Sequence, residues 1–544
     1  MNPQQSPNVR ALRDLTEGLV SAPVDVAVTD VTLDSRAVSP GALFLACGGR
    51  THHGLRFAQE AVNRGARAVL FEEPAAPAPG SAVPLGAAPG GAPPTATAPR
   101  SDAPRSDARR GDAPPKPDFG SDIFVAAVPL LSQYAGLIAD RFFGAPAQAL
   151  TVAGITGTNG KTTCAYLLAQ ALQACQRPAA YMGTLGYGVP PSLTATDHTT
   201  SDAVNVHRQL AALRGLGAEC VSMEVSSHAI DQHRVAAVRF ETAVFTNLTR
   251  DHLDYHGTME AYGDTKARLF AWPTLAHRVI NVDDPFGAHL AEQLSPARLV
   301  VTTRSDRSHL ASTGSLSDAE MVRATHATPE SAGLRIRIDS SWGPGEVVVP
   351  LIGEFNVDNV LTVLAVLLAW NVPLTMALSA LATCKAPSGR MEVFGGASAP
   401  LAIVDYAHTP DGLLKALRAA RTHCRGKLLV VFGCGGDRDA GKRPLMGRIA
   451  GELADEVIVT DDNPRTEDPA HIAANILEGL TGRAGVSVEH DRAKAIRSAL
   501  QRSRPDDVVL VAGKGHEDYQ IYGAVRRPFR DQTVVLAALA GASA

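Results

Sequence analysis

Between Thr156 and Thr163 the chain reads Thr-Gly-Thr-Asn-Gly-Lys-Thr-Thr. The apolar run Leu-Thr-Val-Ala-Gly-Ile precedes it, and apolar residues follow at Cys164, Leu167, Leu168, Ala171 and Leu172. A strand, a glycine turn and a helix start in that order make an anion site. Backbone N–H groups of Gly157, Thr158, Asn159 and Gly160 and the helix dipole face a polyphosphate, Lys161 adds charge, and a hydroxyl from Thr162 or Thr163 suits Mg²⁺. Ile155 stands where the strict G-x-x-x-x-G-K-[ST] spacing wants its first glycine, so the loop is a variant form. The implied ligands are ATP and Mg²⁺, and the implied chemistry is phosphoryl transfer.

Other residue types can serve that chemistry. Glu224 closes the apolar run Glu-Cys-Val-Ser-Met, where a carboxylate supplies a hard oxygen to Mg²⁺. His252 and His256 stand four apart, a spacing that puts both on one face of a helix. Lys266, within Ala-Tyr-Gly-Asp-Thr-Lys-Ala-Arg, reads on its own as a surface helix lysine. Asp462-Asn463-Pro464-Arg465 offers a turn whose arginine is either solvated or a clamp for a carboxylate.

The loop TGTNGKTT resembles that of the Mur ligases and their relatives the folylpolyglutamate synthetases. Four further segments, EVSSHAIDQHR (224–234), TNLTRDHLDYHGTMEAY (246–262), DYAHTPDGL (405–413) and DDNPRTEDP (461–469), are similar to the branch of the Mur family that adds the third peptide residue. The resemblance covers the whole chain apart from one Pro/Ala-rich stretch. It implies an ATP-dependent amide-bond ligase. A carboxylate is a poor electrophile, and moving the ATP γ-phosphate onto it creates an acyl phosphate that a free amine can attack. Such a transfer needs charge neutralised around the phosphates by Mg²⁺, a lysine and an arginine.

Carried over residue by residue, the resemblance makes Lys161, Lys266, His252 and Arg390 the catalytic set. Lys266 is similar to a lysine carbamylated by CO₂ in the family, which makes it a magnesium ligand or orienter beside Thr162, Glu224 and His252; His256 stays unassigned. Asn356 in LIGEFNVDN is similar to the residue that contacts adenine, Asp405 to the one that binds ribose, and Arg390 to the one that reaches the terminal phosphates. A site drawn from two domains implies closure that excludes water from the acyl phosphate.

The implied substrates are UDP-MurNAc-L-Ala-D-Glu and meso-diaminopimelate. Leu33 and Ser35 in TLDSR align with the uridine contacts, with Arg50, Thr51 and His52 beside them. Thr199, Thr200, Ser226, Gln232 and Arg234 align with the residues that hold the muramoyl dipeptide, and His198 stands where relatives often carry asparagine. Asp462, Asn463, Pro464 and Arg465 match the diaminopimelate-adding form, and Arg438, Gly513 and Glu517 align with other amino-acid contacts. The chemistry agrees: diaminopimelate differs from lysine by a distal carboxylate, which an arginine clamps through paired, charge-assisted hydrogen bonds. Lysine leaves that guanidinium unsatisfied.

These residues need a frame to hold them. From Ala149 onward short β-rich runs alternate with amphipathic helical stretches, the pattern of a parallel sheet flanked by helices. The strands LTVAGIT, ECVSMEVSS, TAVFTNL, RVINVDD, LAIVDYA, KLLVVFGCGG, EVIVTDDNPR and VVLVAGKGHE run into glycine, charge or amide at their C-terminal ends, where open α/β sheets collect ligands. The expected fold is an α/β three-domain Mur ligase. Residues 1–146 form a UDP-sugar domain, 147–386 a P-loop ATPase domain and 387–544 a Rossmann-like amino-acid domain. A helical run from Asn356 to Cys384 precedes the last boundary. Residues 74–118, dominated by Ala, Pro, Gly and Ser, read as a disordered insertion in a surface loop of the first domain.

At 544 residues the chain exceeds what one core supports. With 51 basic and 55 acidic residues it offers no polyanion-binding surface, so nucleic acid is not an expected partner. Seven scattered cysteines lack any C-x-x-C spacing and read as reduced thiols. The longest apolar run, Leu361 to Trp370, is too short to span a bilayer, and the expectation is a cytoplasmic monomer without membrane insertion.

Overall fold

The strands that carry the glycine loop and Glu224 lie side by side. Thr151–Thr156 pairs in parallel with Cys220–Glu224, which pairs in parallel with Ala179–Gly183, and the register sets Ile155 opposite Glu224. The computed structural model describes residues 9–49, 52–73, 119–295, 298–305, 316, 318–330, 333–396 and 399–542. It divides into two compact units, one of Met1–Thr158, Pro178–Val244 and Thr249–Arg278, the other of Asn159–Arg177, Phe245–Leu248 and Val279–Ala544.

In the first unit, Asp30–Thr32, Ala42–Ala46, Ala68–Glu73 and Phe124–Pro129 form a four-stranded sheet in that order, every pair parallel. Side chains alternate between its faces. Leu43, Leu45, Leu70 and Val128 meet Leu131, Ile138 and Phe142 of the helix Leu131–Phe142, whereas Phe44, Ala46, Val69 and Phe71 meet Leu55, Ala58 and Ala61. The Pro/Ala-rich stretch joins the last two strands, which are direct neighbours; residues 74–118, with their expected disorder, lie outside the described residues, as do Arg50 and Thr51. A second sheet of the same unit runs Ser192–Thr194, Gly186–Val189, Ala179–Gly183, Cys220–Glu224, Thr151–Thr156, Phe240–Phe245. Its three central strands are buried almost throughout, as strands covered on both faces must be.

In the second unit, Leu299–Thr303 pairs in parallel with Glu320–Glu330, and the sheet then turns antiparallel through Gly333–Ser340 and Gly345–Val349. This antiparallel ribbon is an addition to the expected parallel pattern. The expected helical run from Asn356 to Cys384 is also corrected. It forms two helices, Phe355–Ala369 and Leu374–Leu381, because Asn371 takes φ +59° and Pro373 cannot continue a helix.

The same unit carries a six-stranded sheet in the order Glu392–Gly395, Leu401–Asp405, Val508–Ala512, Leu428–Phe432, Glu456–Val459, Val486–Val488. Its first pair is antiparallel and the others parallel. Helices Pro410–Thr422, Lys442–Leu453 and Pro469–Glu478 cover one face through Leu417, Met446 and Ile476. Arg492–Arg502 and Asp531–Ala542 cover the other through Ile496 and Val535. All eight strands expected from the sequence are present. Among the described residues no helix is long and apolar enough to cross a membrane.

One carboxylate in this frame opposes stability at neutral pH. Burial pushes Asp358, in the first turn of Phe355–Ala369, up to about 6; Arg304 opposes the rise and Asp283 and Glu354 add to it. An unfolded aspartate ionises near ~3.9, so between the two values the folded chain holds the extra proton. The stability this group contributes is present in full below about 4 and is lost as pH rises through about 6. Asp358→Asn is therefore expected to raise the Tm at pH 8 by at least ~2 °C and to leave it unchanged at pH 4, read by calorimetry. A lower Tm at pH 8 contradicts this.

Candidate active site

Glu224 is fully buried at the end of its strand. Its Oε1 accepts from the Tyr181 hydroxyl (2.5 Å) and the Thr184 N–H (2.9 Å), and its Oε2 accepts from the Thr184 hydroxyl (3.2 Å). Three donors hold the carboxylate in one orientation, and a fixed hard oxygen suits Mg²⁺. Neither Tyr181 nor Thr184 was suggested by the sequence, since parallel pairing alone brings them to Glu224. Gly183 is required beside them, because a Cβ there would collide with Glu224 Oε1. Gly183→Ala is expected to cut turnover at least ~10-fold while the protein stays folded, as displaced donors misplace the carboxylate. Steady-state rates beside a thermal melt check it.

The dipeptide candidates cluster near Glu224. The Thr200 hydroxyl donates to the Glu224 carbonyl (2.9 Å) and accepts from the Ser226 N–H (3.1 Å), and the Thr184 and Thr199 hydroxyls lie 3.0 Å apart. Arg234 donates to the Thr200 carbonyl (3.1 Å) and from Nε to Gln232 Oε1 (2.9 Å). His198, Thr199, Thr200 and Glu224 line one small cavity, with the His198 side chain exposed. In the N-terminal sheet, Ser35 is buried and donates to Glu60 (2.7 Å), Leu33 is half-buried against the core, and His52 is exposed.

Lys266 is not on the surface. It is 1% exposed, its Nζ donates to the Gly157 carbonyl (2.9 Å) and it stands 4.4 Å from the centre of the Tyr262 ring. The Thr158 hydroxyl donates to the Thr249 carbonyl (3.1 Å) and accepts from the Thr249 N–H (2.9 Å). His252 and His256 do not share a helix face. Only Leu253–His256 is helical, and His252 precedes it at φ +54°. Both rings instead meet His228, at 4.9 and 5.6 Å between centroids. Burial first, then the two neighbouring imidazoles, push His228 down to about 4. Among the described residues no group of three or more His, Cys, Asp or Glu is placed to hold a metal on protein atoms alone.

In the second unit the helix Lys161–Ala174 begins after Gly160, whose φ is +85° and whose Cβ would meet Asn359 Oδ1 at 2.5 Å. Thr162 and Thr163 are buried in its first turn, where the Thr162 hydroxyl is a second hard oxygen of the kind Mg²⁺ takes. Asn159 N–H donates to Asn247 Oδ1 (2.9 Å) and its carbonyl accepts from the Thr246 hydroxyl (2.6 Å). Asn356 is buried, donating to the Ile352 carbonyl (2.7 Å) and accepting from Asn359 (2.8 Å). Asn359, three residues along the same helix, was missed although its spacing from Asn356 marked a shared face.

Arg390 lies 3.5 Å from the Thr162 hydroxyl, stacks 4.6 Å over the Tyr406 ring, and keeps its buried Nε without a partner among the described residues. An unpartnered guanidinium nitrogen fits an anion-binding role. Asp405 accepts from the Met391 N–H (2.8 Å); burial pushes its carboxyl up against the opposing influence of Arg390.

The DNPR turn follows the strand Glu456–Val459. Asn463 donates to Glu517 Oε2 (2.8 Å). Arg465, at φ +54°, is held by its backbone, with its N–H on the Ile521 carbonyl (3.0 Å) and its carbonyl accepting from Gly523 (2.6 Å). Its guanidinium donates to the Gly436 carbonyl (2.7 Å). Pro464 and buried Asp462 complete the turn, and Gly513 is needed because a Cβ there would meet Asp462 Oδ2 at 2.7 Å. Arg438 is exposed on the loop after Leu428–Phe432.

Three family models match: the Mur ligase family catalytic domain over residues 27–104, the Mur ligase middle domain over 155–367, and the Mur ligase glutamate ligase domain over 389–515. The chain is 44% identical to the UDP-N-acetylmuramoyl-L-alanyl-D-glutamate–2,6-diaminopimelate ligase of Ectopseudomonas mendocina (strain ymp), over 95% of this chain and 96% of the relative. It is 43% identical to the enzyme of the same name from Pseudomonas aeruginosa, over 93% and 94%. A solved structure of an enzyme of that name superposes with a TM-score of 0.64 at 32% identity, covering 98% of this chain and 100% of that one. A Mycobacterium tuberculosis folylpolyglutamate synthase shares the fold at 18% identity and a TM-score of 0.53, over 70% of this chain. With its phosphate loop, its parallel sheets and near full-length identity to these enzymes, the chain belongs to the Mur ligase family.

Proposed function

We propose that the protein joins meso-diaminopimelate to UDP-MurNAc-L-Ala-D-Glu at the expense of ATP, in peptidoglycan precursor synthesis. It acts in the cytoplasm as a monomer, through domains at 1–146, 147–386 and 387–544. The observation that carries this is the Asp462-Asn463-Pro464-Arg465 turn at the end of the Glu456–Val459 strand. Its backbone is pinned on both sides of Arg465, and Glu517 stands beside it.

The glycine loop with Lys161 holds the triphosphate, Asn356 and Asp405 the nucleoside, and Arg390 the terminal phosphates. Thr162, Glu224, His252 and a carbamylated Lys266 would hold Mg²⁺, which would supply charge neutralisation at the phosphates. Leu33 and Ser35 hold the uridine end, and Thr199, Thr200, Ser226, Gln232 and Arg234 the dipeptide. The D-glutamate carboxylate attacks the γ-phosphorus and ADP leaves. Diaminopimelate is held by Glu517 on an ammonium and by Arg438 and Arg465 on its carboxylates; its free amine then attacks the acyl carbon, phosphate leaves, and the new amide nitrogen gives up its proton.

The test is stoichiometry. With all substrates present, one phosphate is expected per amide formed, and leaving out either the nucleotide sugar or the amino acid stops both. Phosphate release without amide product would identify a nucleotide-gated binding protein instead. Turnover on a folate with glutamate would move the chain to the folylpolyglutamate branch.

A further inference from the structure

One buried cation near the DNPR turn has no role so far. Lys514 follows the strand Val508–Ala512 after Gly513 and is 0% exposed. Its Nζ donates to Glu517 Oε2 (2.7 Å) and to Asn463 Oδ1 (3.1 Å), with the Tyr519 ring centre 5.3 Å away. Burying an ammonium costs several kcal/mol unless its partners are well placed, so these contacts define its position.

The three side chains form a closed set. Asn463 Oδ1 accepts from both Lys514 and the Ile521 N–H (3.1 Å), which fixes the amide orientation, since a flipped amide would set its NH₂ against two donors. The oriented Nδ2 then donates to Glu517 Oε2 (2.8 Å), the atom that also takes Lys514. Oε2 is thereby occupied twice. Among the described residues no donor meets Oε1, and the Glu517 side chain keeps 15% of its surface exposed. Oε1 is the oxygen left for an incoming ammonium.

We propose, on the footing of the ligase function above, that Lys514 is a positioning residue for amino-acid selection: it aims Glu517 Oε1 at the substrate ammonium and offsets the charge of that carboxylate. The second effect bears on specificity. Diaminopimelate at neutral pH carries two ammonium and two carboxylate groups and is neutral, whereas lysine carries a net positive charge. A site with Glu517 uncompensated is more negative and draws lysine more strongly, weakening the discrimination made by Arg465.

Lys514→Met removes the charge and keeps the length. It is expected to raise the KM for diaminopimelate at least ~10-fold, as loss of a charge-assisted hydrogen bond does. The preference for diaminopimelate over lysine should fall by a similar factor, with the KM for ATP unchanged. Because Lys514 acts through Glu517, adding Lys514→Met to Glu517→Gln should change the KM for diaminopimelate by less than about threefold. A larger further rise in the double variant overturns the inference, as does a Lys514→Met enzyme with wild-type KM and wild-type preference. If Lys514→Met alone does not fold, the comparison of Glu517→Gln with the double variant decides by the same threshold. Wild-type protein is assayed first: failure to turn over diaminopimelate at all sinks the ligase function itself and is distinct from a failure of the Lys514 inference.

Discussion

Lys161→Ala is expected to lower kcat/KM by at least ~10³-fold while leaving the fold intact, because cationic groups on a transferring phosphoryl are worth that much in the transition state. Lys161 opens the helix Lys161–Ala174 directly after Gly160, whose left-handed backbone starts the helix. A cation at a helix N-terminus opposes the dipole, so its removal should leave stability unchanged or slightly raised. Activity and stability therefore move separately, and a thermal melt beside steady-state kinetics separates a lost catalyst from a lost fold. Retention of more than a tenth of wild-type turnover would remove Lys161 from the phosphate site.

Arg465→Ala should act on one substrate alone. The backbone bonds of Arg465 to Ile521 and Gly523 do not involve its side chain, and any cost of φ +54° is already met by arginine, so the turn should persist. What is lost is the guanidinium that donates to the Gly436 carbonyl and that the proposed function assigns to the distal carboxylate. Removing a paired, charge-assisted contact should raise the KM for diaminopimelate roughly 10²-fold, with the KM for ATP unaltered. If the contact is equally strong in ground and transition states, kcat is preserved. Unchanged KM with wild-type turnover would refute the specificity role.

Those two residues were legible because their chemistry is written in contiguous sequence. A glycine loop between a strand and a helix, or a DNPR turn after a strand, carries its context with it. Lys266 shows the opposite case. On its own it reads as a surface helix lysine, and its docking over Tyr262 and the Gly157 carbonyl buries it. Tyr181 reaches Glu224 across 43 residues and Lys514 reaches Asn463 across 51, through parallel register that local patterning does not encode.

The histidine pair departs from the expected helix at one residue: His252 precedes Leu253–His256 with a left-handed backbone, and both rings still meet His228. In the helical run after Gly353, uniform apolarity hid the break that Asn371 and Pro373 impose. The antiparallel ribbon from Glu320 to Val349 did carry a period-two signal in Leu334, Ile336 and Ile338, which point inward between exposed or half-buried residues.

The most direct test is to incubate purified protein with ATP, Mg²⁺ and UDP-MurNAc-L-Ala-D-Glu, offering meso-diaminopimelate in one reaction and L-lysine in the other, and to weigh the products by mass spectrometry. A diaminopimelate-adding ligase gives the tripeptide product with diaminopimelate and little or none with lysine. Equal or preferential incorporation of lysine would contradict the assignment of Arg465 and with it the proposed substrate.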